Sequence, residues 1–347
     1  MTVAVRQISA SDGDAWDAFV RSHAEGTFCH LAGWKRVVEE GAEQECPYLI
    51  AEDAGNIVGI LPLTYRKSLL FGDALISSMF AVYGGVLALN EDITLALEEY
   101  AWQLAKSNQL KGITYKCMTA THSGEGGWHV EKDSAATFHK TLKSSPEEIL
   151  LDIPRKQRAV VRKSFKNNLT CEWGRNVEEF YPLYAESVRN LGTPVFPKKL
   201  FTAFLAVFKD DVDIQIIRTP EGQAVASLMS FYYKDTVLPY YAGGTLEART
   251  YGAHDYMYYQ LMVRAAEKGK TVFDFGRSKI GTGPYKFKCN WGFEPTPLEY
   301  QHRLREGAAP PNLNPGNRKF ELMVAVWKKL PLPVANILGP LLARHLG

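Results

Sequence analysis

The densest charge in the chain lies in PRKQRAVVRKSFK, which holds Arg155, Lys156, Arg158, Arg162, Lys163 and Lys166 and no acid. Read as a helix, it sets Arg155, Arg158 and Arg162 on one side, because they are three and four residues apart. Guanidinium forks match phosphate oxygens, so this face suits a diphosphate or a phosphorylated backbone; simple solvation is the alternative. A second cluster, DFGRSKIGTGPYKFKCNWG over Asp274–Gly292, follows a strand expected at Thr271–Phe275. Gly276, Gly281 and Gly283 would let backbone amides approach an anionic or carbonyl oxygen. Arg277, Lys279, Lys286 and Lys288 add positive charge there, and Tyr285, Phe287 and Trp291 add rings. If Tyr285–Lys288 is extended, Lys286 and Lys288 share one face. The alternative is a structural loop ending in a core Trp.

Elements must position these residues. The 347-residue chain is 46% hydrophobic and carries 40 Lys and Arg against 38 Asp and Glu, which suits a globular protein and excludes a uniformly basic nucleic-acid coat. Its length suits two domains. One order of elements occurs twice. Pro47–Glu52 and Ile57–Tyr65 read as a hairpin, Ala81–Leu89 as an extended segment with Gly84–Gly85, Glu91–Ser107 as a helix and Gly112–Met118 as a strand. Asp213–Arg218 and Ala224–Tyr233 again read as a hairpin, Thr236–Ala242 as a strand ending in Gly243–Gly244, Asp255–Lys268 as a helix and Thr271–Phe275 as a strand. The glycine pairs fall at equivalent places, which points to duplication of one α/β pattern. The connecting segment holds strand-like Trp128–Glu131 and Thr137–Leu142. The expected domains are 1–145 and 146–304, followed by a Pro/Gly/Asn linker and helical tail over 305–347.

Several chemistries lack their signatures. There is no GxSxG elbow, GxxxxGK[ST] loop or GxGxxG turn. The five cysteines are scattered without a CxxC pair, and the eight histidines show no metal-ligand spacing, so no metal site is expected. The start has no apolar signal region and no apolar run reaches spanning length, so a cytoplasmic protein with reduced thiols is expected.

Three stretches together resemble the FemAB family. FDFGRSKIGTGPYKFKCNWGFEP is similar to its C-terminal signature through Gly283, Phe287–Lys288 and Trp291–Gly292. KQRAVVRKSFKNNL resembles its basic helix, and Thr27–Phe28–Cys29–His30–Leu31–Ala32–Gly33–Trp34–Lys35 resembles an early segment typical of it. Arg277 stands where the family usually has a second glycine, and Arg277–Ser278–Lys279 with the Pro-rich linker and tail looks closest to members associated with exosortase (PEP-CTERM) and exopolysaccharide systems. The resemblance implies an α/β (α+β) fold of two tandem GNAT-type acyltransferase domains with mixed sheets. It also implies an acyl- or aminoacyltransferase acting on an amine of a phosphate-bearing envelope or exopolysaccharide precursor. Aminoacyl-tRNA or acyl-CoA would be the donor, with no tightly bound cofactor. Carried to this sequence, Lys288 matches the lysine near the reacting carbonyl, and Lys35 after Trp34 matches a phosphate-holding position. Arg162, with Arg158, is a candidate for the same role, and Tyr83 borders the substrate cleft. Arg277, Lys286 and Trp291 complete the expected substrate-binding set.

Acyl transfer needs a neutral amine, a route for its proton and a stabilised oxyanion. Lys288 and nearby amides are expected at the oxyanion, Tyr241 or Tyr285 as proton carriers, and Asp274 as a base or as an orienting group for Arg277. A CoA-binding enzyme would show [QR]xxGx[GA] where amides meet the pyrophosphate. Here the stretch reads Arg249–Thr250–Tyr251–Gly252–Ala253–His254, so Arg249 and Gly252 fit and His254 replaces the second small residue. Gly281 and Gly283 are the other expected donor-binding positions. An acyl-CoA-dependent N-acetyltransferase is one rival reading, and a non-catalytic precursor-binding protein is another.

The tail carries Phe320, Met323, Val324, Trp327 and Leu330 at helical spacing, with Arg318, Lys319, Lys328, Lys329 and Arg344 against Glu321 alone. Such a segment, 318–347, suits peripheral contact with an anionic membrane, or docking on the protein's own body or a second subunit.

Overall fold

The structure, a computed structural model, describes residues 3–68, 72–122, 124, 126–308 and 318–346, with side chains from Leu322 onward in the last segment. Of the expected linker, residues 309–317 lie outside the described residues, as do the side chains of Arg318, Lys319, Phe320 and Glu321.

In chain order the first elements are β1 (Ala4–Gln7), α1 (Gly13–Ser22), α2 (Ala32–Ala42), β2 (Leu49–Asp53), β3 (Asn56–Leu61), β4 (Leu63–Arg66), β5 (Ala74–Ser77), β6 (Leu87–Ala88), α3 (Glu91–Ser107), β7 (Gly112–Tyr115) and β8 (Trp128–Glu131). Then come β9 (Ala135–Thr141), α4 (Pro146–Asp152), α5 (Arg155–Phe165), β10 (Thr170–Gly174), α6 (Val177–Leu191), α7 (Lys198–Phe208), β11 (Val212–Arg218), β12 (Ala224–Tyr233) and β13 (Thr236–Gly244). The last are α8 (Ala248–Tyr251), α9 (Ala253–Glu267), β14 (Val272–Asp274), β15 (Ser278–Lys279), α10 (Gly283–Asn290), β16 (Glu294–Pro297), β17 (Tyr300–Leu304), α11 (Arg318–Lys329) and α12 (Leu332–Ala343).

Local chemistry accounts for the boundaries that matter. The Asn90 side chain accepts from the Ile93 amide at 3.0 Å and starts α3, with Glu91 and Asp92 in its first turn. Ser145 and Glu148 form a capping box around Pro146 at the start of α4. Ala54 and Gly55 both take positive φ, which closes the β2–β3 hairpin. Pro62 lies between β3 and β4, and the strand expected as one piece over Ile57–Tyr65 divides there between two sheets.

The first unit runs to Asp133 and includes the stretch from Leu298 and the last residues from Leu341. It holds a sheet ordered β1-β2-β3-β6 and another ordered β4-β5-β7-β17-β8, in which only β5 and β7 are parallel. The second unit runs from Ser134 to Pro297 and includes the tail as far as Pro340. Its sheet is ordered β10-β11-β12-β13-β14-β9-β15, with β16 also on β9, and only β13 and β14 are parallel. In each unit a helix links the parallel pair, as parallel strands require. The fold is therefore mixed α/β, two tandem units with mixed sheets and C-terminal helices.

The divisions fall at 133/134 and 297/298 rather than at 145/146 and 304/305. Strand exchange is the physical reason. β9 lies beside β14 and β17 beside β7, so each parallel pair gains a neighbour from the other half of the sequence. The glycine pairs are also less alike than their spacing suggests. Gly243–Gly244 end β13, where a Cβ on Gly243 would come within 2.4 Å of the Tyr184 backbone. Gly84–Gly85 lie in a loop after β5, and only Leu87–Ala88 of the expected Ala81–Leu89 strand pairs.

Candidate active site

Parallel pairing of β13 with β14 covers only Thr236↔Val272 and Val237↔Phe273. β13 then continues along β12 to Gly244, with a bulge at Tyr240, while β14 stops at Asp274. The chemistry gathers at that strand end. Asp274 is buried, and its Oδ1 accepts from the Gly276 amide at 2.8 Å and meets His139 Nε2 at 3.2 Å. Strand register sets the second contact, since Asp274 lies opposite His139 of β9. Burial pulls the His139 pKa down, but the hydrogen bond and charge of Asp274 more than reverse this, so it lies above its ordinary value.

Gly276 takes a φ of +66°, a left-handed turn that side chains resist. Just past that turn the carbonyls of Gly276 and Arg277 both accept from Lys288 Nζ, at 2.9 and 3.1 Å. The ammonium lies 5.3 Å from the Phe138 ring centre and 5.5 Å from that of Phe275. Burial pushes its pKa down to about 7, against the raising effect of Asp274 and with a lowering contribution from Arg277. An ammonium has three N–H donors. With two on carbonyls, the third can serve a developing oxyanion, or a proton can move at neutral pH.

Local folding selects Lys288 over Lys286. Tyr285–Lys288 is helical, not extended, because Pro284 suits the first turn of α10. Residues two apart on a helix point to different sides, and Lys286 is exposed while Lys288 faces the strand end. Tyr285 packs edge-on to Phe138 at 5.3 Å, so it touches the ring that Lys288 covers. Tyr241 lies elsewhere, among Tyr184, Phe196, Phe201 and Phe204, where its ring is a packing group. Trp291 is fully buried against Tyr258 and Phe287, and Trp34 is fully buried with Nε1 donating to Met79 O at 2.8 Å. Both are core residues, since no face of either indole reaches solvent to meet a substrate. Lys35 is held by Glu39 at 2.5 Å and the Cys46 carbonyl at 2.6 Å.

The donor-binding glycines also find other duties. Gly252 takes a φ of +65° between α8 and α9, and a Cβ there would meet Ser164 of α5 at 3.2 Å. The amides of Thr250, Tyr251 and Gly252 donate to Glu247 and Arg249 carbonyls, so α8 uses them internally. Arg249 is exposed. A Cβ on Gly281 or Gly283 would meet nothing within 4 Å, so neither lines a tight cradle. The basic helix is more informative. Asn167 donates to the Tyr251 carbonyl at 2.7 Å and Gln157 hydrogen-bonds Asp255, which hold the α5 segment against the α8–α9 turn. Its other side forms an open groove of about 590 Å³ lined by Leu151, Arg155, Arg158, Ala159, Arg162, Lys163 and Lys166.

In the first unit, parallel pairing of β5 with β7 is equally short, Leu75↔Ile113 and Ile76↔Thr114. A cavity of about 620 Å³ lies in this unit, lined by residues at or after the ends of both strands, including Tyr83, Gly84, Tyr115 and Cys117. Tyr83 is among the lining residues. Glu98 also lines it, buried, and its carboxylate meets His122 Nε2 at 2.9 Å, while the His122 ring stacks on Trp128 at 3.8 Å. Burial holds the Glu98 pKa above the usual carboxylate value, against the lowering effect of His122. The Tyr115 hydroxyl is buried without a hydrogen-bond partner. Burial pushes the Cys117 thiol up to about 12, so it is no nucleophile at neutral pH.

His139, Glu98 and His122 escaped sequence reasoning. His139 is a lone histidine in a connecting strand, and only the β9–β14 register reveals its partner. Glu98 stands about two turns from its helix's acidic start with no motif around it.

Residues 155–288 match the family model for an Acetyltransferase (GNAT) domain. A sequence comparison with curated proteins finds no match. Among solved structures, the chain is similar to FemX, with a TM-score of 0.68 at 16% identity, covering 87% of this chain and 97% of that one. It is also similar to L-PGS from Bacillus licheniformis (TM-score 0.57, 12% identity, covering 94% of this chain and 99% of that one). A tandem GNAT protein from the clavulanic acid biosynthesis pathway gives a TM-score of 0.57 at 13% identity, covering 89% of this chain and all of that one. These likenesses are of fold. Residues 155–288 are thus an acetyltransferase (GNAT) domain, and the whole chain shares the fold of tandem GNAT structures.

Proposed function

We propose that the protein transfers an aminoacyl or acyl group to an amine of a phosphate-bearing cell-envelope or exopolysaccharide precursor, with the chemistry at Lys288. The observation that carries this reading is the pair of carbonyl contacts holding Lys288 at the end of β14, inside the matched acetyltransferase segment. The amine nitrogen attacks the donor carbonyl carbon and an oxyanion forms. The Lys288 N–H stabilises that charge. Collapse breaks the bond to the donor oxygen or sulfur, and the proton lost by the amine balances the one gained by the leaving group. Asp274 and His139 act on Lys288 by holding the turn at Gly276.

Charged tRNA is the donor favoured here over acyl-CoA. Within Arg249–His254 the amides of Thr250, Tyr251 and Gly252 are already hydrogen-bonded, and the adjoining groove carries five cations. The first-unit cavity, with Tyr83, Tyr115 and Glu98, is a separate pocket of that unit. The test is transfer by the purified full chain from aminoacyl-tRNA and, separately, from acetyl-CoA to a panel of amine-bearing envelope precursors, read by mass spectrometry. Turnover with charged tRNA alone supports the reading. Turnover with acetyl-CoA alone overturns the donor, and binding without turnover across all donors overturns the enzyme.

A further inference from the structure

The C-terminal helices are inside out. In α12 the small residues Ala335, Gly339 and Ala343 are buried, whereas Val334, Ile337, Leu338 and Leu341 are exposed, Ile337 to 70%. The spacing of three and four residues puts these four on one stripe. The buried side is packed closely, since a Cβ on Gly339 would lie 2.9 Å from Val195. In α11, Val324 and Lys328 lie against Gly192 at the end of α6, and Arg189 Nη1 donates to the Lys328 carbonyl at 3.3 Å. Leu322, Met323 and Val326 occupy the opposite side, within an arc of about 100°, and Leu322 is 65% exposed. Each helix is thus docked on one side and leaves its larger apolar side chains in water.

Charge selects what covers them. From Leu322 to Gly347 there is no Asp or Glu, while Lys328, Lys329 and Arg344 are present, and α11 begins with Arg318 and Lys319. Cations beside an exposed apolar stripe fit the headgroup and acyl boundary of an anionic bilayer. Among the described residues no helix is long and apolar enough to cross a membrane, so contact in the plane of the surface is the mode considered. We infer that α11 and α12 are a peripheral docking surface for anionic lipid, which would bring the enzyme to a lipid-linked acceptor.

Flotation of the full chain with vesicles tests this, using phosphatidylcholine alone and phosphatidylcholine with about one-third phosphatidylglycerol. The expected result is flotation with the anionic vesicles only, reduced at least tenfold by Val326→Asp with Ile337→Asp, and weakened by Lys329→Glu or by added salt. The substituted apolar sites are exposed, so unchanged circular dichroism and melting temperature are expected of the double variant. No flotation of the wild-type chain overturns the inference, as does flotation that the double variant leaves intact. A dimer in light scattering that Val326→Asp with Ile337→Asp dissolves, without lipid binding, overturns it in favour of a second copy. Transfer to a water-soluble acceptor analogue should survive the double variant, which separates this inference from the proposed chemistry.

Discussion

Lys288 Nζ donates to the Gly276 carbonyl at 2.9 Å, linking the face of α10 to the turn at the end of β14. The contact fixes a cation beside the strand end where acyl chemistry is proposed, and burial keeps its pKa near neutrality, at about 7. Loss of one oxyanion donor costs about 10²–10³ in kcat. Lys288→Met should therefore lower kcat by that factor with the fold intact by circular dichroism. Lys288→Arg should rescue little, because the two carbonyls are spaced for an ammonium.

The same contact sets a pH dependence. Lys288 acts as the ammonium, and its charge is lost as pH rises through about 7. The rate at saturating donor and acceptor should fall on the alkaline side of that value. A limb that rises through 7 instead would make neutral Lys288 the working form.

Neighbouring charges should move this limb in opposite directions. Asp274 raises the Lys288 pKa and Arg277 lowers it. Asp274→Asn should shift the limb toward lower pH, and Arg277→Gln toward higher pH, by amounts read from complete pH–rate profiles. His139→Gln removes the partner of Asp274 and should change kcat more than either KM, as expected of a positioning residue.

Much of this was legible from residue spacing. α3 runs over Glu91–Ser107 as its cap and periodicity require, and the basic helix and the short β14 lie where the sequence indicates. The exceptions have physical causes. Trp34 and Trp291 look like ligand-facing aromatics beside lysines, but their indoles fill the two cores. Tyr241 follows a bulge, and the resulting register turns it toward α6 and α7. Lys286 and Lys288 alternate only in a strand, and Pro284 starts a helix instead. His139 could not be read at all, because β9 joins a sheet whose other strands come after it in sequence.

The first-unit cavity makes a separate prediction. Tyr115 buries a hydroxyl without a partner, at a cost of about 1–3 kcal/mol. Tyr115→Phe should leave the melting temperature unchanged or higher, read by thermal unfolding beside the wild-type chain. A clearly lower melting temperature would show that the Tyr115 hydroxyl has a stabilising partner.

The basic groove should be read through salt. Arg155→Gln, Arg158→Gln and Arg162→Gln together remove three of the five cations lining it. The donor KM should rise at least tenfold, and its salt dependence should flatten by about two to three units of log–log slope. Tyr241→Phe, away from both sites, should leave kcat within twofold.

The most direct test is single-turnover transfer from charged tRNA to an amine-bearing precursor, comparing the wild-type chain with Lys288→Met at saturating concentrations. The account predicts a first-order rate lower by about 10²–10³ with donor binding retained. Transfer by Lys288→Met at the wild-type rate would contradict it.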